Sequence, residues 1–195
     1  MAKHTEYQFE TEIVKQMVTS GDWQEGSDKK YDTNLCLYPE ALHSFILATQ
    51  FDEWQKLKAA QGEGAKDALE QQVSKQIRLR GTLHVLRNEL ELFGCRFNLI
   101  EFQPSTTRNP ESMKKYKANV LTVVRQLHYS ERNRNSIDLV LFVNGIPVIT
   151  SELKNQLTGQ NVVDAVQQYK EDRSSTGEPF LQFGRCLAHF AVDTD

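Results

Sequence analysis

SIDLVLFVNGIPVITSELK, residues 136–154, decides how this chain folds. Apolar residues fill two arms on either side of Asn144-Gly145, a dipeptide suited to the left-handed conformations of a tight hairpin turn. Asp138 interrupts one arm, and Glu152 and Lys154 end the other. Register decides whether these charges meet. In a strict two-residue turn Val143 faces Ile146, Asp138 faces Ser151, and Glu152 points to the other side of the sheet. In a three-residue connection, with Gly145 in the left-handed position of a bulged turn, Val143 faces Pro147. Asp138 then lies opposite Glu152, and Lys154 follows on the same face. The apolar pattern is compatible with the second register. Ile137, Leu139, Leu141, Val143, Ile149 and Leu153 then share one face; Val140, Phe142 and Val148 share the other with Asp138, Thr150, Glu152 and Lys154. The expectation is an odd-length loop, or an equivalent bulge, that gathers the three charges at the open end.

Such a trio has a chemical use. Two carboxylates a few ångströms apart repel each other unless a cation sits between them. Oxygen-only ligands suit Mg²⁺, which keeps several waters and binds phosphate oxygens. A bound metal polarises a phosphodiester and lowers the pKa of a coordinated water. A neighbouring lysine stabilises developing charge or orients the attacking water. The competing reading is a solvated strand end where Lys154 pairs with one of the acids. The E-x-K spacing alone is too common to choose between them; the apolar hairpin favours the first, because apolar strand pairs rarely gather charges without use.

The rest of the sequence sets the frame. The 195 residues allow one domain with a sizeable core, and 39% hydrophobic with 25% charged residues is the balance of a globular protein. No apolar run approaches the roughly 20 residues of a membrane helix. MAKHTEYQFE lacks the apolar core of a secretory signal. Cys36, Cys95 and Cys186 lie far apart without a CxxC pair, which suits a reducing cytoplasm and supports neither zinc nor a disulfide framework. A net charge of -3 is not the footprint of a stand-alone nucleic-acid binder, so a grip on DNA would come mostly from other domains or partners.

Along the chain, residues 5–18 read as a helix, with Phe9, Ile13 and Met17 recurring every four residues. Residues 21–31 read as a loop. Pro39 opens a second helix with Leu42, Phe45 and Ile46 on one face, and residues 50–60 continue as helix or turn. Residues 66–92 read as one long helix or two, with a break at Gly81 and an end at Gly94. Residues 95–102 read as a strand, 104–117 as a polar loop, and 120–129, rich in β-branched residues, as a strand. After the hairpin, a helix over 161–172 leads to a last strand over 186–192. Strand, helix, strand at this spacing suggests a right-handed parallel crossover. The predicted fold class is α/β, a mixed central β-sheet flanked by helices.

With Asp138 and Glu152-Leu153-Lys154 in the motif positions, the pattern resembles the PD-(D/E)xK nuclease superfamily, with its restriction-endonuclease-like fold. More narrowly, the chain resembles the N-terminal nuclease domain of the restriction (motor) subunit of type I restriction-modification enzymes. The matching phrases are RGTLHVLRNELELFG, YKANVLTVVRQLHYS, NSIDLVLFVNGIPVITSELKNQLTGQ, DAVQQYKEDR and LAHFAVDTD, with FILATQFDEW as a looser match upstream. The resemblance implies one endonuclease domain over 1–195, the N-terminal fragment of a longer translocase subunit. It implies Mg²⁺-dependent, sequence-nonspecific cleavage of double-stranded DNA after ATP-driven translocation, in the cytoplasm. Asp138 and Glu152 would hold Mg²⁺, with the Leu153 carbonyl as a further ligand and Lys154 as the catalytic lysine. Nucleases of this kind often draw one more acid from an early helix, and Glu12 is the candidate, against a chance surface glutamate. Some members carry Q-x-x-x-Y on the helix after the ExK strand. Here Tyr169 is present but Ala165 stands four residues before it, so Gln167 or Gln168 would take the role, or Tyr169 is core and the glutamines are solvated.

The chain contains no G-x-x-x-x-G-K-[ST], so ATP would bind only in motor domains beyond this sequence. The partners implied are the modification and specificity subunits, and no membrane. Nothing in the chain looks like a base-reading module. The rival readings are a noncatalytic docking module that couples motor and partners, or another structure-selective nuclease of the same superfamily.

Overall fold

The computed structural model describes residues 6–106, 108–154, 167 and 177–193. Among these residues, six α-helices occupy Glu6–Ser20 (α1), Pro39–Thr49 (α2), Phe51–Gln61 (α3), Ala65–Arg80 (α4), Thr82–Arg87 (α5) and Pro110–Lys117 (α6). Seven strands occupy Trp23–Gly26 (β1), Leu90–Leu92 (β2), Cys95–Phe97 (β3), Leu121–His128 (β4), Ser136–Val143 (β5), Ile146–Leu153 (β6) and Ala188–Val192 (β7). Five of them form one mixed sheet in the order β1-β4-β5-β6-β7, while β2 and β3 form a separate hairpin. β1 runs parallel to β4 and β7 parallel to β6; the central pairs β4–β5 and β5–β6 are antiparallel. The expected mixed α/β sheet flanked by helices is therefore the observed architecture, and the parallel β6–β7 pair is present. The predicted crossover helix over 161–172 lies almost wholly outside the described residues. No described helix is long and apolar enough to cross a membrane.

Three apolar clusters hold the helices to the sheet. The largest joins Leu42, Phe45, Ile46, Leu57, Leu69, Val73 and Ile77 from α2–α4 to Ile146 and Val148 of β6. A second gathers Tyr31, Tyr38, Val124, Leu127, Val140, Phe142 and Phe180. The third, around Val14, Val123, Leu139 and Leu153, takes the Phe9, Ile13 and Met17 stripe of α1. A fully buried Leu, Val or Phe contributes about 1.5–3 kcal/mol over its exposed state, so this stripe is what docks α1 beside the open end of the β5–β6 hairpin.

The hairpin turn is the strict two-residue one: Val143 pairs with Ile146, and Asn144 and Gly145 have φ of 49° and 79°. The register shifts farther along. Phe142 pairs with Pro147 but Leu141 with Ile149, so Val148 is an extra residue in β6. Pro147 has no N–H for the ladder, and a bulge is where a central strand tolerates such a residue. The three-residue connection is not used; its equivalent bulge is. The turn itself is locked from within. Asn144, fully buried, accepts from Val120 N at 2.7 Å and donates to Leu99 O at 3.0 Å and Asn119 Oδ1 at 2.8 Å. A Cβ on Gly145 would collide with the Tyr38 carbonyl.

Five local expectations are overturned. Residues 23–26 form strand β1 rather than loop, because Gly26 lets β1 lie against Thr122, Val124 and Tyr38 where a Cβ would clash. Leu90–Leu92 leaves the predicted helix and pairs with β3, with Phe93 and Gly94 both left-handed in the turn between them. Gly94 thus turns a hairpin instead of ending a helix, and the strand after it stops at Phe97. Within the predicted loop 104–117, Pro110–Lys117 is helical, started by Asn109, whose side chain accepts from the Glu111 and Ser112 amides.

Candidate active site

The open end of the hairpin is built by register first. Leu139 pairs with Ser151, the last pair of the β5–β6 ladder, one residue short of Asp138 and Glu152. The Asp138 carboxylate is then fixed on both oxygens: Oδ2 accepts from Leu153 N at 2.7 Å and Oδ1 from Gln126 Nε2 at 3.0 Å. Strict side-chain alternation fails here. Ile137 joins the cluster of Val140 and Phe142, whereas Leu139 joins the α1 cluster, so the predicted face containing both residues is split. The neighbouring strand is irregular at the same level, where Gln126 has a φ of 46°. That conformation is uncommon for a residue with a Cβ.

Gln126 connects the hairpin to α1. Its Nε2 also donates to Glu10 Oε2 at 2.7 Å. Glu10 is 4% exposed, and its Oε1 accepts from Arg125 Nε. Arg125 donates to Thr11 Oγ1 at 2.9 Å, lies 3.8 Å from Glu25 Oε1 and sits 4.9 Å over the Tyr7 ring. Burial alone would lower the Arg125 guanidinium pKa, but the Glu10 hydrogen bond and charge, with Glu25 and Tyr7, hold it above its ordinary value. Tyr7, Glu10, Arg125, Gln126, Asp138 and Leu153 line a cavity of about 300 Å³.

Glu152 and Lys154 are 2% and 9% exposed, so neither is a solvated strand-end charge. No ion pair joins Lys154 to a carboxylate among the described residues. The Leu153 side chain packs in the α1 cluster, and alternation sends Glu152 and Lys154 to the opposite face of β6. Asp138 instead lines the α1-side cavity with Leu153, so the expected gathering of all three charges on one face is not what the structure shows. On the Glu152 face Thr150 Oγ1 meets His189 Nδ1 at 2.6 Å. β7 closes the edge: Glu152 pairs with Ala191, and Lys154 N donates to Val192 O at 2.8 Å.

Glu12 is exposed and, among the described residues, accepts from the Gln16 amide at 3.2 Å. It does not line the cavity that Glu10 enters. Gln167 is exposed, and Gln168 and Tyr169 lie outside the described residues. No group of three or more His, Cys, Asp or Glu side chains forms a metal cage among the described residues. The hard oxygens of this region are the Asp138 and Glu10 carboxylates, which line one cavity, and the Glu152 carboxylate and Leu153 carbonyl of β6. One or two carboxylates with waters and phosphate oxygens is the set that fits Mg²⁺.

Sequence reasoning missed Glu10, Arg125 and Gln126, though each left a signal. Glu10 stands four residues before Val14 and seven before Met17, on the apolar stripe itself, whereas Glu12 falls on the outer face. Arg125-Gln126 breaks an otherwise apolar strand, VVRQL, at the level of Asp138.

Among known families, the chain matches the model described as type I restriction enzyme R protein N terminus, over residues 3–195. No curated protein and no solved structure matches it.

Proposed function

Because this chain belongs to the type I restriction enzyme R protein N-terminal family, we propose that it is that enzyme's Mg²⁺-dependent endonuclease domain, cutting double-stranded DNA without sequence preference. Asp138 and Glu152 hold the ion, with the Leu153 carbonyl as a further ligand. A bound Mg²⁺ supplies a polarised phosphodiester and a more acidic water. Lys154, buried beside Glu152, stabilises the charge that develops on the phosphate and orients the attacking water. Glu10, rather than Glu12, is the acid that the first helix brings to the site. Translocation and ATP use belong to motor domains outside this chain, and target choice to the modification and specificity subunits, all in the cytoplasm.

The observation that carries the proposal is the seat of Asp138 at the open end of the hairpin, where it is pinned by the backbone N–H of the very residue between Glu152 and Lys154. A solvated ion pair has no need of such a fixture, and burying Glu152 and Lys154 costs several kcal/mol unless their charges are used or compensated.

The test is direct metal binding. MnCl₂ titrated into the chain by calorimetry should bind the parent, while Asp138→Asn and Glu152→Gln each lose about tenfold or more in affinity. Equal binding in all three would sink the assignment.

A further inference from the structure

A cation entering this site meets a side chain already seated between the acids. Gln126 Nε2 lies 2.7 Å from Glu10 Oε2 and 3.0 Å from Asp138 Oδ1. Its Oε1 accepts from Ser136 Oγ at 2.8 Å. An amide NH₂ has two donors and no lone pair for a metal. It therefore does for these carboxylates, without charge, what a cation does: it holds both and screens one from the other.

The remaining carboxylate oxygens are tied to stronger partners. Glu10 Oε1 has the Arg125 guanidinium, and Asp138 Oδ2 has the Leu153 main-chain N–H, fixed in the sheet. Gln126 is the weakest of the three holders. It is neutral, and its left-handed backbone stores strain that its side-chain bonds must offset. It is also exposed, so its amide can swing into water without opening a core.

We infer that Gln126 is a positioning residue that stands in for the cation: its amide bridges Glu10 and Asp138 in the metal-free chain, and a divalent ion bound to these two carboxylates displaces it. The inference rests on Asp138 being a metal-binding acid, as proposed above. It assigns Gln126 two effects that a purely structural residue would not combine. Gln126 preserves the acid pair when no metal is bound, and it weakens metal binding by competing for the same two oxygens. It thereby sets the metal concentration at which the site loads.

The experiment uses the chain with MnCl₂ as the probe, read by calorimetry and by thermal melting with and without Mn²⁺. Four proteins are compared: the parent, Gln126→Ala, Gln126→Glu and Asp138→Asn. Gln126→Ala should melt lower than the parent without metal, recover towards it at saturating Mn²⁺, and bind Mn²⁺ about tenfold more tightly, the equivalent of one hydrogen bond to a charged group. Gln126→Glu, which turns the bridge into a third acid, should show a larger gap between metal-free and metal-loaded melting. Folding of either variant only in Mn²⁺ is the same result in stronger form. Parent-like or weaker Mn²⁺ affinity in Gln126→Ala, or an equal melting loss with and without metal, would overturn the inference. Asp138→Asn separates the two levels. If it loses Mn²⁺ while Gln126→Ala behaves as the parent, the metal site stands and the stand-in role fails. If no protein responds to Mn²⁺, both fail.

Discussion

Glu10 and Glu12 lie two residues apart on one helix, yet their replacement should have opposite consequences. Glu10→Ala removes a 4% exposed carboxylate that accepts from Arg125 Nε and Gln126 Nε2. Hydrogen bonds to a charged group contribute about 1.5–3 kcal/mol each, and breaking a buried ion pair costs about 3–5 kcal/mol. The Arg125 side chain keeps 20% of its exposure, so water replaces part of what is lost. The expected destabilisation is about 2–3 kcal/mol. At ~2–4 °C per kcal/mol for a chain of this length, the melting point falls by about 4–12 °C. Glu12→Ala removes one exposed contact with Gln16 and should stay within about 0.5 kcal/mol of the parent. Urea unfolding of both variants, with Arg125→Met and the Glu10→Ala/Arg125→Met double mutant, closes a thermodynamic cycle. A Glu10–Arg125 coupling of at least ~1 kcal/mol is expected. Near-zero coupling, or a larger loss from Glu12→Ala than from Glu10→Ala, would refute the packing of α1 against the hairpin end.

Other outcomes follow from the same geometry. Asn144→Ala strips hydrogen bonds from three groups at a fully buried turn and should cost about 3–5 kcal/mol in urea unfolding; a loss below 1 kcal/mol would contradict the turn network. Gly145→Ala meets both a left-handed φ and the Tyr38 carbonyl, so it should lower the melting point by several degrees, whereas Gly94→Ala, with open space around it, should lower it less. Burial pushes the Cys186 thiol up from 9.0 to about 12, and Cys36 shifts the same way. The fold thus keeps protons that the unfolded chain gives up. That stabilisation is complete below pH about 9 and is lost as pH rises towards 12, so urea midpoints should decline from pH 8 to 10.5, and less steeply in Cys186→Ala.

The main sheet was legible because its central strands are apolar and long, and Asn144-Gly145 marks one turn only. The register was harder. Two registers were open at the turn, and the observed one, a two-residue turn with a bulge at Val148, depends on how Pro147 is accommodated in a central strand. Short elements escaped. β1 is four residues of mostly polar sequence whose pairing depends on Gly26 approaching β4, a tertiary fact. Leu90–Leu92 continues a helical apolar spacing into what becomes a strand, because three residues carry too little period to distinguish the two. At the site, Asp138, Glu152 and Lys154 were visible as charges in an apolar hairpin. Gln126 was not, because its importance comes from a left-handed φ and from two acids distant in sequence.

The nuclease centre proposed at the charged end of this hairpin should be separable from the motor. Cleavage of circular DNA carrying a target site, by the R protein assembled with its modification and specificity subunits, puts this to the test. The parent and Lys154→Ala are compared, with ATP hydrolysis followed in the same tubes. Lys154→Ala should abolish cleavage while ATP hydrolysis continues at the parental rate. Equal cleavage by both proteins would make Lys154 an ordinary buried charge and remove the nuclease centre from this hairpin.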